Sequence, residues 1–385
     1  MGKIELDHTG AGSGVTLSSD GTDLLLNGTA IGGGGGTVLE LYAENPSSPT
    51  APSATGANAV AIGTNAQATN TNAVAITRNA VASGNSSFAV GNNAAATGTN
   101  GIAIGANTAA VERATAIGGA GAQALQQNTT AIGSSSTSQP ATCPAGGGAG
   151  AMALGGSYAS GTDSFAAAIA NNTSSYGATG ANSVAIGYQG KATAFGAVSL
   201  GRGTQATANY SLASGINTVA SALYGVALGF ESTTYATTSL AFASGSFSGF
   251  AGQHQARIFV LRNRSTDATP KVLVSDGGSS GSTNDQIILP NNSAYAFHGT
   301  IVARQQASQG TACAAWKIEG LIRREGSVGT TVLVNSATTV LDNTPGWGMT
   351  LSADTTNGGL KIEVTGAAAT NIAWNGNIHT SEVTY

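Results

Sequence analysis

The side chains able to do bond chemistry are few and scattered in this sequence. His8, His254, His298 and His379 have no spacing that would aim two imidazoles at one metal ion. Cys143 and Cys313 lie in segments of different composition. Neither a bridge between them nor a paired-cysteine metal motif is expected, and each reads as a free buried thiol. Glu319 and Glu325 fall around the end of an expected strand, and Asp342 and Asp354 on expected loops. Glycoside cleavage needs two carboxyl groups at a set separation; these four read as solvated surface acids. The runs Gly118-Gly119-Ala120-Gly121 and Gly146-Gly147-Gly148 lack the following Lys-Ser/Thr that would hold a phosphate and its magnesium. Catalytic residues, metal ligands and cofactors are therefore each assigned as none.

Groups suited to non-covalent recognition are better represented, in the last third of the chain. Trp347 sits in Pro345-Gly346-Trp347-Gly348, and Trp374 adjoins Asn375-Gly376; both segments read as turns. An exposed indole stacks on the face of a sugar ring, and polar neighbours orient it by hydrogen bonds. Trp347, Trp374, Asn375, Asp342 and Arg323 are accordingly the candidate receptor-binding residues, with a glycan as ligand. Arg323-Arg324 with Arg304 would suit an acidic sugar, although such arginines more often pair with nearby acids. Trp316 alternates with Ile318 on an apolar face and is expected in the core.

The elements that must position these groups follow from composition and periodicity. The 385 residues are only 8% charged and 5% aromatic, yet include 56 glycines, a fibrous rather than an average globular composition. A net charge of −4 predicts no nucleic-acid partner. Residues 55–253 hold seven charged side chains and residues 254–385 hold eighteen, which places a domain boundary near Gly252. No apolar run reaches the length of a membrane span, so no membrane insertion is expected. Met1-Gly2-Lys3-Ile4-Glu5-Leu6-Asp7 does not have the pattern of a secretory signal, which favours synthesis in a cytoplasm.

From Gly56 to Phe250 a short cassette recurs: apolar, small, apolar, then usually glycine. Val60-Ala61-Ile62-Gly63, Val74-Ala75-Ile76-Thr77, Phe88-Ala89-Val90-Gly91 and Ile102-Ala103-Ile104-Gly105 start 14 residues apart. The step becomes 13 at Thr115-Ala116-Ile117-Gly118 and 15 at Thr130-Ala131-Ile132-Gly133. After an insertion, Ser134 to Gly150, come Met152-Ala153-Leu154-Gly155 and a weak copy at Ala167-Ala168-Ile169-Ala170. The period of 14 returns at Val184, Val198, Leu212, Val226 and Leu240, making thirteen copies. Fourteen residues are too few for a helical repeat or propeller blade but suffice for one coil of a parallel β-solenoid, two short strands and two tight turns. The large-small-large triplet predicts one buried face, with the large residues inside and alanine leaving room for another chain to approach. Asn and Gly between the strands mark turns with positive φ. A lone coil cannot offset its ordering entropy, so a self-associating stack is expected.

The cassette Asn-Ser-Val-Ala-Ile-Gly, intact at Asn182 to Gly187, resembles the head repeat of YadA-like trimeric adhesins. That resemblance implies a left-handed parallel β-roll shared by three chains, a homotrimer. The same repeats occur in bacteriophage fibres. Residues 254–385 read as an antiparallel β-sandwich, from nine short apolar runs separated by Asn291-Asn292, Pro345-Gly346, Asn357-Gly358-Gly359 and Asn375-Gly376. They are similar to C-terminal domains of tail fibres from phages of aquatic bacteria, cyanobacterial ones especially. Residues 1–31 predict a hairpin around Ser18-Ser19-Asp20-Gly21. They resemble the virion-docking segments of fibres, with Val15, Leu17, Leu24 and Leu26 as attachment residues.

The chain therefore reads as all-β, in three parts: 1–54 for attachment and linker, 55–253 as a β-roll shaft, and 254–385 as a receptor-binding knob. The reading is a phage tail fibre located in the virion. It docks to a tail, adaptor or baseplate protein and grips host lipopolysaccharide or another surface glycan. Alternatives are a bacterial surface adhesin, a polysaccharide-degrading tailspike, and a head fibre.

Overall fold

The computed structural model describes residues 4–6, 15–19, 24–26, 29–30 and 50–385, apart from 120, 136–138, 145–146, 168–174 and 279–280; for the first four segments and for 134–135 and 139–140 only the backbone is described. Ile4–Leu6, Val15–Ser19, Leu24–Leu26 and Thr29–Ala30 form an antiparallel sheet in chain order. Leu17 pairs with Leu26 and Ser19 with Leu24, the hairpin expected there. The glycine linker of 32–36 and the strand expected over 37–42 lie outside the described residues.

The repeats wind into stacked coils. Each apolar triplet is a short strand paired in parallel with the next: Val60↔Val74↔Phe88↔Ile102. The 13- and 15-residue steps leave the register intact, Ile102↔Thr115↔Thr130, because the turns absorb the difference. A second stack of two-residue strands, such as Gln67–Ala68, Val81–Ala82 and Ala95–Ala96, closes the other side of each coil. Both turns of a coil carry a left-handed residue, usually asparagine: φ is +57° at Asn65, Asn79 and Asn107 and +58° at Asn93. Asparagine tolerates that conformation better than other non-glycine residues. Stacking then aligns the amides into a ladder, Asn65 to Asn79 to Asn93 to Asn107, each donating to the next at 3.0 Å. The glycine after the triplet has a steric cause as well: at Gly187, φ +114°, a Cβ would lie 2.4 Å from the carbonyl oxygen of Gly201 one coil away.

Three expectations are corrected. The weak copy is out of phase: the strand is Phe165–Ala167, with Phe165↔Val184, while 168–170 lie outside the described residues. The insertion is not one loop. Ser134–Ser135 pairs with Gln139–Pro140 as a small hairpin, and Thr142–Cys143 rejoins the roll against Gln123–Ala124.

The third correction concerns which face is inside. The buried cluster of the roll consists of alanines, Ala61 to Ala227, with Cys143 the one other member. Alanine is the middle residue of the triplet, so the valines and isoleucines point outward. Val60 and Ile132 are 39% exposed, Ile186 38% and Phe242 49%. Each coil is too thin for a large aliphatic side chain: it holds methyl groups, the Cys143 thiol, and small serine and threonine side chains whose hydroxyls in places bond back to the turn. Ser87, Ser183 and Ser211 do this, donating to the carbonyls of Gly84, Gly180 and Ala208. The period-2 pattern correctly separates two faces but does not say which is the core.

Residues 254–385 form two antiparallel sheets around one core, as the strand spacing predicts. The first runs 332–342, 313–324, 293–305, 372–384, 254–265. Its last strand continues onto the roll, pairing Ile258 with Leu240 and Ala256 with Phe242. In the second, Gly359–Thr365 pairs with Gly348–Asp354 on one edge and with Lys271–Val272 and Ile287–Ile288 on the other. Asn375-Gly376 is no turn; it lies mid-strand in Ile372–Thr384, which is paired on both edges. Two full-length partners override a local turn signal.

A buried polar cluster joins roll to knob. Arg257 Nε donates to Glu382 Oε1 at 2.7 Å, both side chains fully buried, and Arg257 Nη2 donates to the Tyr295 hydroxyl at 3.0 Å. The guanidinium also lies 4.5 Å over the ring of Tyr235, a residue of the last coils. Burial pushes the Tyr235 hydroxyl up to about 12. Gln255 spans the boundary: its amide donates to Glu382 Oε2 and its carbonyl accepts from the backbone N–H of Thr233 at 2.9 Å.

Candidate functional site

The structure disperses the residues nominated for glycan stacking. Trp347 and Trp374 are 5% and 2% exposed. They lie in the sandwich core with Trp316, ring centroids 5.8 Å apart in each contact. The loop around Trp347 is folded inward by Asn343, whose side chain accepts from the Trp347 N–H at 2.8 Å and donates to its carbonyl at 2.6 Å. Trp374 Nε1 donates to Ser265 Oγ at 2.9 Å. Neither indole offers a face to a sugar, so the expectation of exposed rings is corrected; flanking glycine and proline mark a tight turn but not an outward side chain. Trp316 is in the core as expected.

Asp342 ends a strand and accepts from the Thr344 hydroxyl at 2.8 Å. Arg323 pairs with Glu325 on the surface. Arg304 pairs with Cys313 at one end of the 293–305 and 313–324 strands, and Arg323 with Ala294 at the other, so the three arginines do not meet. Cys313 is exposed, contrary to the buried thiol expected; it starts an outward-facing column, whereas Cys143 replaces an interior alanine. Burial pushes the Cys143 thiol up to about 12. Asn375 alone of the nominated set faces outward mid-sheet, between Arg262 and Val302 on the neighbouring strands.

What the fold does bring together is basic. On the outer face of the first sheet, Arg264, Ala373 and Arg304 stand in register across three adjacent strands, and Arg262 stands beside Asn375 two residues further on. Two adjoining clefts open there. One, of about 510 Å³, is lined by Arg262, Arg264, Lys271, Asp276, Gly277 and Trp374 among others. The next, of about 460 Å³, is lined by Arg264, Thr266, Arg304, Gln306 and Asn371 among others. Arg262 donates to the backbone carbonyl of Asp276 at 3.0 Å, and Arg304 to that of Ala312 at 3.2 Å. Sequence reasoning passed over Arg262, Arg264 and Lys271. The signal was present, because arginines at i and i+2 within a strand share a face. Also unforeseen is the stacking of His298 on His379, 5.2 Å apart on neighbouring strands. Among the described residues no group of three or more His, Cys, Asp or Glu side chains could hold a metal ion, and no helix is long and apolar enough to cross a membrane.

The family model described as the YadA head domain repeat (2 copies) matches residues 54–76, 82–108, 178–204, 192–218 and 206–232. The chain thus carries YadA head repeats, on coils at both ends of the roll. No curated protein matches the chain. Among solved structures, the crystal structure of an Acinetobacter baumannii phage AM24 tailspike protein matches at 9% identity, over 74% of this chain and 54% of that one, with a TM-score of 0.18. This chain thus spans about half the length of that one, and a likeness at that score carries no argument about fold or function.

Proposed function

We propose that this chain, whose shaft is built of YadA head repeats, is a homotrimeric adhesive fibre: a bacteriophage tail fibre that holds a glycan-binding knob away from the particle. The observation that carries this reading is the inverted roll. Monomeric proteins rarely leave a large contiguous apolar surface in water. Here the outward positions of the long-strand face are mostly Val, Ile, Leu, Met and Phe, interrupted by Thr115, Thr130, Ala167 and Ser214, over a rise of about 60 Å for thirteen strands. The short-strand face is more polar, with Gln67, Gln123, Lys191 and Gln205 at the same outward position. One apolar face per coil suits packing against copies of the same chain.

Surface at the neck and knob supports the same assembly. Phe247 and Phe250 are 89% and 69% exposed where the roll ends, and Val340 and Leu341 are 56% and 59% exposed on the edge strand. Phe242, Phe247 and Phe250 would close around the threefold axis. Three knobs on one shaft multiply weak individual contacts with lipopolysaccharide or another surface glycan. The N-terminal sheet, through Val15, Leu17, Leu24 and Leu26, would dock to a tail, adaptor or baseplate protein. The second reading is a bacterial surface adhesin, favoured by the family whose repeat the roll carries.

Sedimentation equilibrium of the full chain tests the assembly. The expected species is three times the 37.5 kDa chain mass. A stable monomer at micromolar concentration removes the reading. Adsorption of the purified trimer to host cells, blocked by the soluble glycan, tests the adhesive role.

A further inference from the structure

We infer that the paired clefts around Arg264 form a binding site for an anionic saccharide, one bearing carboxylate or phosphate groups. The inference rests on the proposal that the knob grips glycan, and adds the chemical class and the residues. The nine lysines and arginines of residues 254–385 divide in two. Arg257, Lys317, Arg323 and Lys361 each sit within ion-pair distance of a carboxylate. Arg262, Arg264, Lys271, Arg304 and Arg324 have no such carboxylate among the described residues. Arg324, Arg262 and Arg304 donate to backbone carbonyls, those of Leu289, Asp276 and Ala312, and Arg324 lies outside the clefts. The other four all line the two adjoining clefts.

Within those linings the one acid is Asp276, whose carboxylate accepts from the backbone N–H of Gly278 at 2.8 Å. The local balance is therefore positive on a chain whose net charge is −4. Lys271 lies near enough to Asp267 to attract its carboxylate, but none of the four cations makes a direct ion pair among the described residues. Cations so gathered in a concave surface raise the local concentration of anions.

The geometry suits a sugar acid better than a free ion. Arg264 and Arg304 stand on strands two apart, roughly 10 Å between backbones. Ala373 lies between them as a flat floor, paired with both. A guanidinium from each side can fork onto a carboxylate or phosphate lying over that floor. Polar groups suited to sugar hydroxyls flank it: Thr266, Gln306 and Asn371 in one cleft, and Asn375 on the strand beside Arg262. Clefts of this volume admit one or two sugar rings each.

The test uses the full-length assembly and titration calorimetry with three probes: an oligogalacturonate, a glucosamine phosphate, and a neutral oligosaccharide of matched length. Binding of at least one anionic probe, weakening as salt rises, with little binding of the neutral one, is expected. Arg264→Gln and Arg304→Gln should each weaken that binding roughly tenfold or more, as loss of a charge-assisted hydrogen bond implies. Lys317→Gln, outside the clefts, should leave it unchanged. Which anionic probe binds separates a carboxylate from a phosphate source. Equal binding of the neutral probe, no binding of either anionic probe at millimolar concentration, or indifference to both arginine substitutions overturns the inference. Cell adsorption that survives those substitutions would leave the adhesive proposal standing while this one falls.

Discussion

Ala185 and Ile186 are adjacent, and the structure gives their substitution opposite consequences. Ala185 is 0% exposed, packed among other alanines inside the coil; Ile186 is 38% exposed on the outward face. Ala185→Val forces two methyl groups into a close-packed interior, at a cost of about 1–3 kcal/mol to the fold of each chain. Ile186→Ser leaves that interior untouched. Fully burying an isoleucine side chain is worth about 1.5–3 kcal/mol. In the proposed trimer, covering the exposed 38% is then worth about 0.6–1.1 kcal/mol per copy and about 2–3.5 kcal/mol over three. Its loss weakens the assembly constant by roughly 20- to 300-fold. A dilution series read by mass photometry measures assembly, and circular-dichroism melting at high concentration measures the fold. Ala185→Val should lower the melting temperature, and Ile186→Ser should move the dissociation midpoint to higher concentration. If Ala185→Val melts like the parent, or Ile186→Ser dissociates at the parent's concentration, the two faces have been assigned wrongly.

Glu382→Gln strands Arg257 as a buried charge; the knob should lose about 3–5 kcal/mol, read as an earlier urea midpoint in the fluorescence of its three tryptophans, and an unshifted midpoint refutes the pairing. Asn93→Ala places a Cβ-bearing residue with no ladder amide at φ +58° and should cost roughly 1–2 kcal/mol, whereas Asn93→Gly should recover much of it; equal melting of the two would remove the left-handed turn from the explanation. Iodoacetamide at pH 8 should alkylate exposed Cys313 and spare Cys143, whose raised thiol holds little thiolate there; mass spectrometry locates the adduct, and rapid labelling of Cys143 contradicts its place in the coil.

Much of the architecture was legible because it repeats. The spacing from Val60 to Leu240 places the strands, and the asparagines at seven-residue intervals place the turns. Each signal recurs coil after coil, and a local irregularity such as the 13-residue step at Thr115 cannot hide it. The inner face was not legible. Val-Ala-Ile presents the same alternation whichever side is buried, and only coil thickness, a property of the closed turn, decides for alanine. The candidate site was less legible still. Trp347 and Trp374 were nominated by neighbouring glycine, proline and asparagine, but Trp347 is turned inward by Asn343, and the face that Trp374 takes is set by its distant strand partners Asn263 and Ala303. Arg264 and Arg304 meet across Ala373 because three strands are in register, and nothing local to either residue encodes that.

The strand at 254–258 lies along the final rung of the roll, and Gln255 reaches over to satisfy Thr233 on the other side. A stack of coils without such a lid would end in an open strand edge, a template onto which further strands can add. The knob thus seals the shaft. Shafts shorn of it would be prone to join end to end into filaments of indefinite length, so residues 254–385 also limit how far the coils below them can propagate.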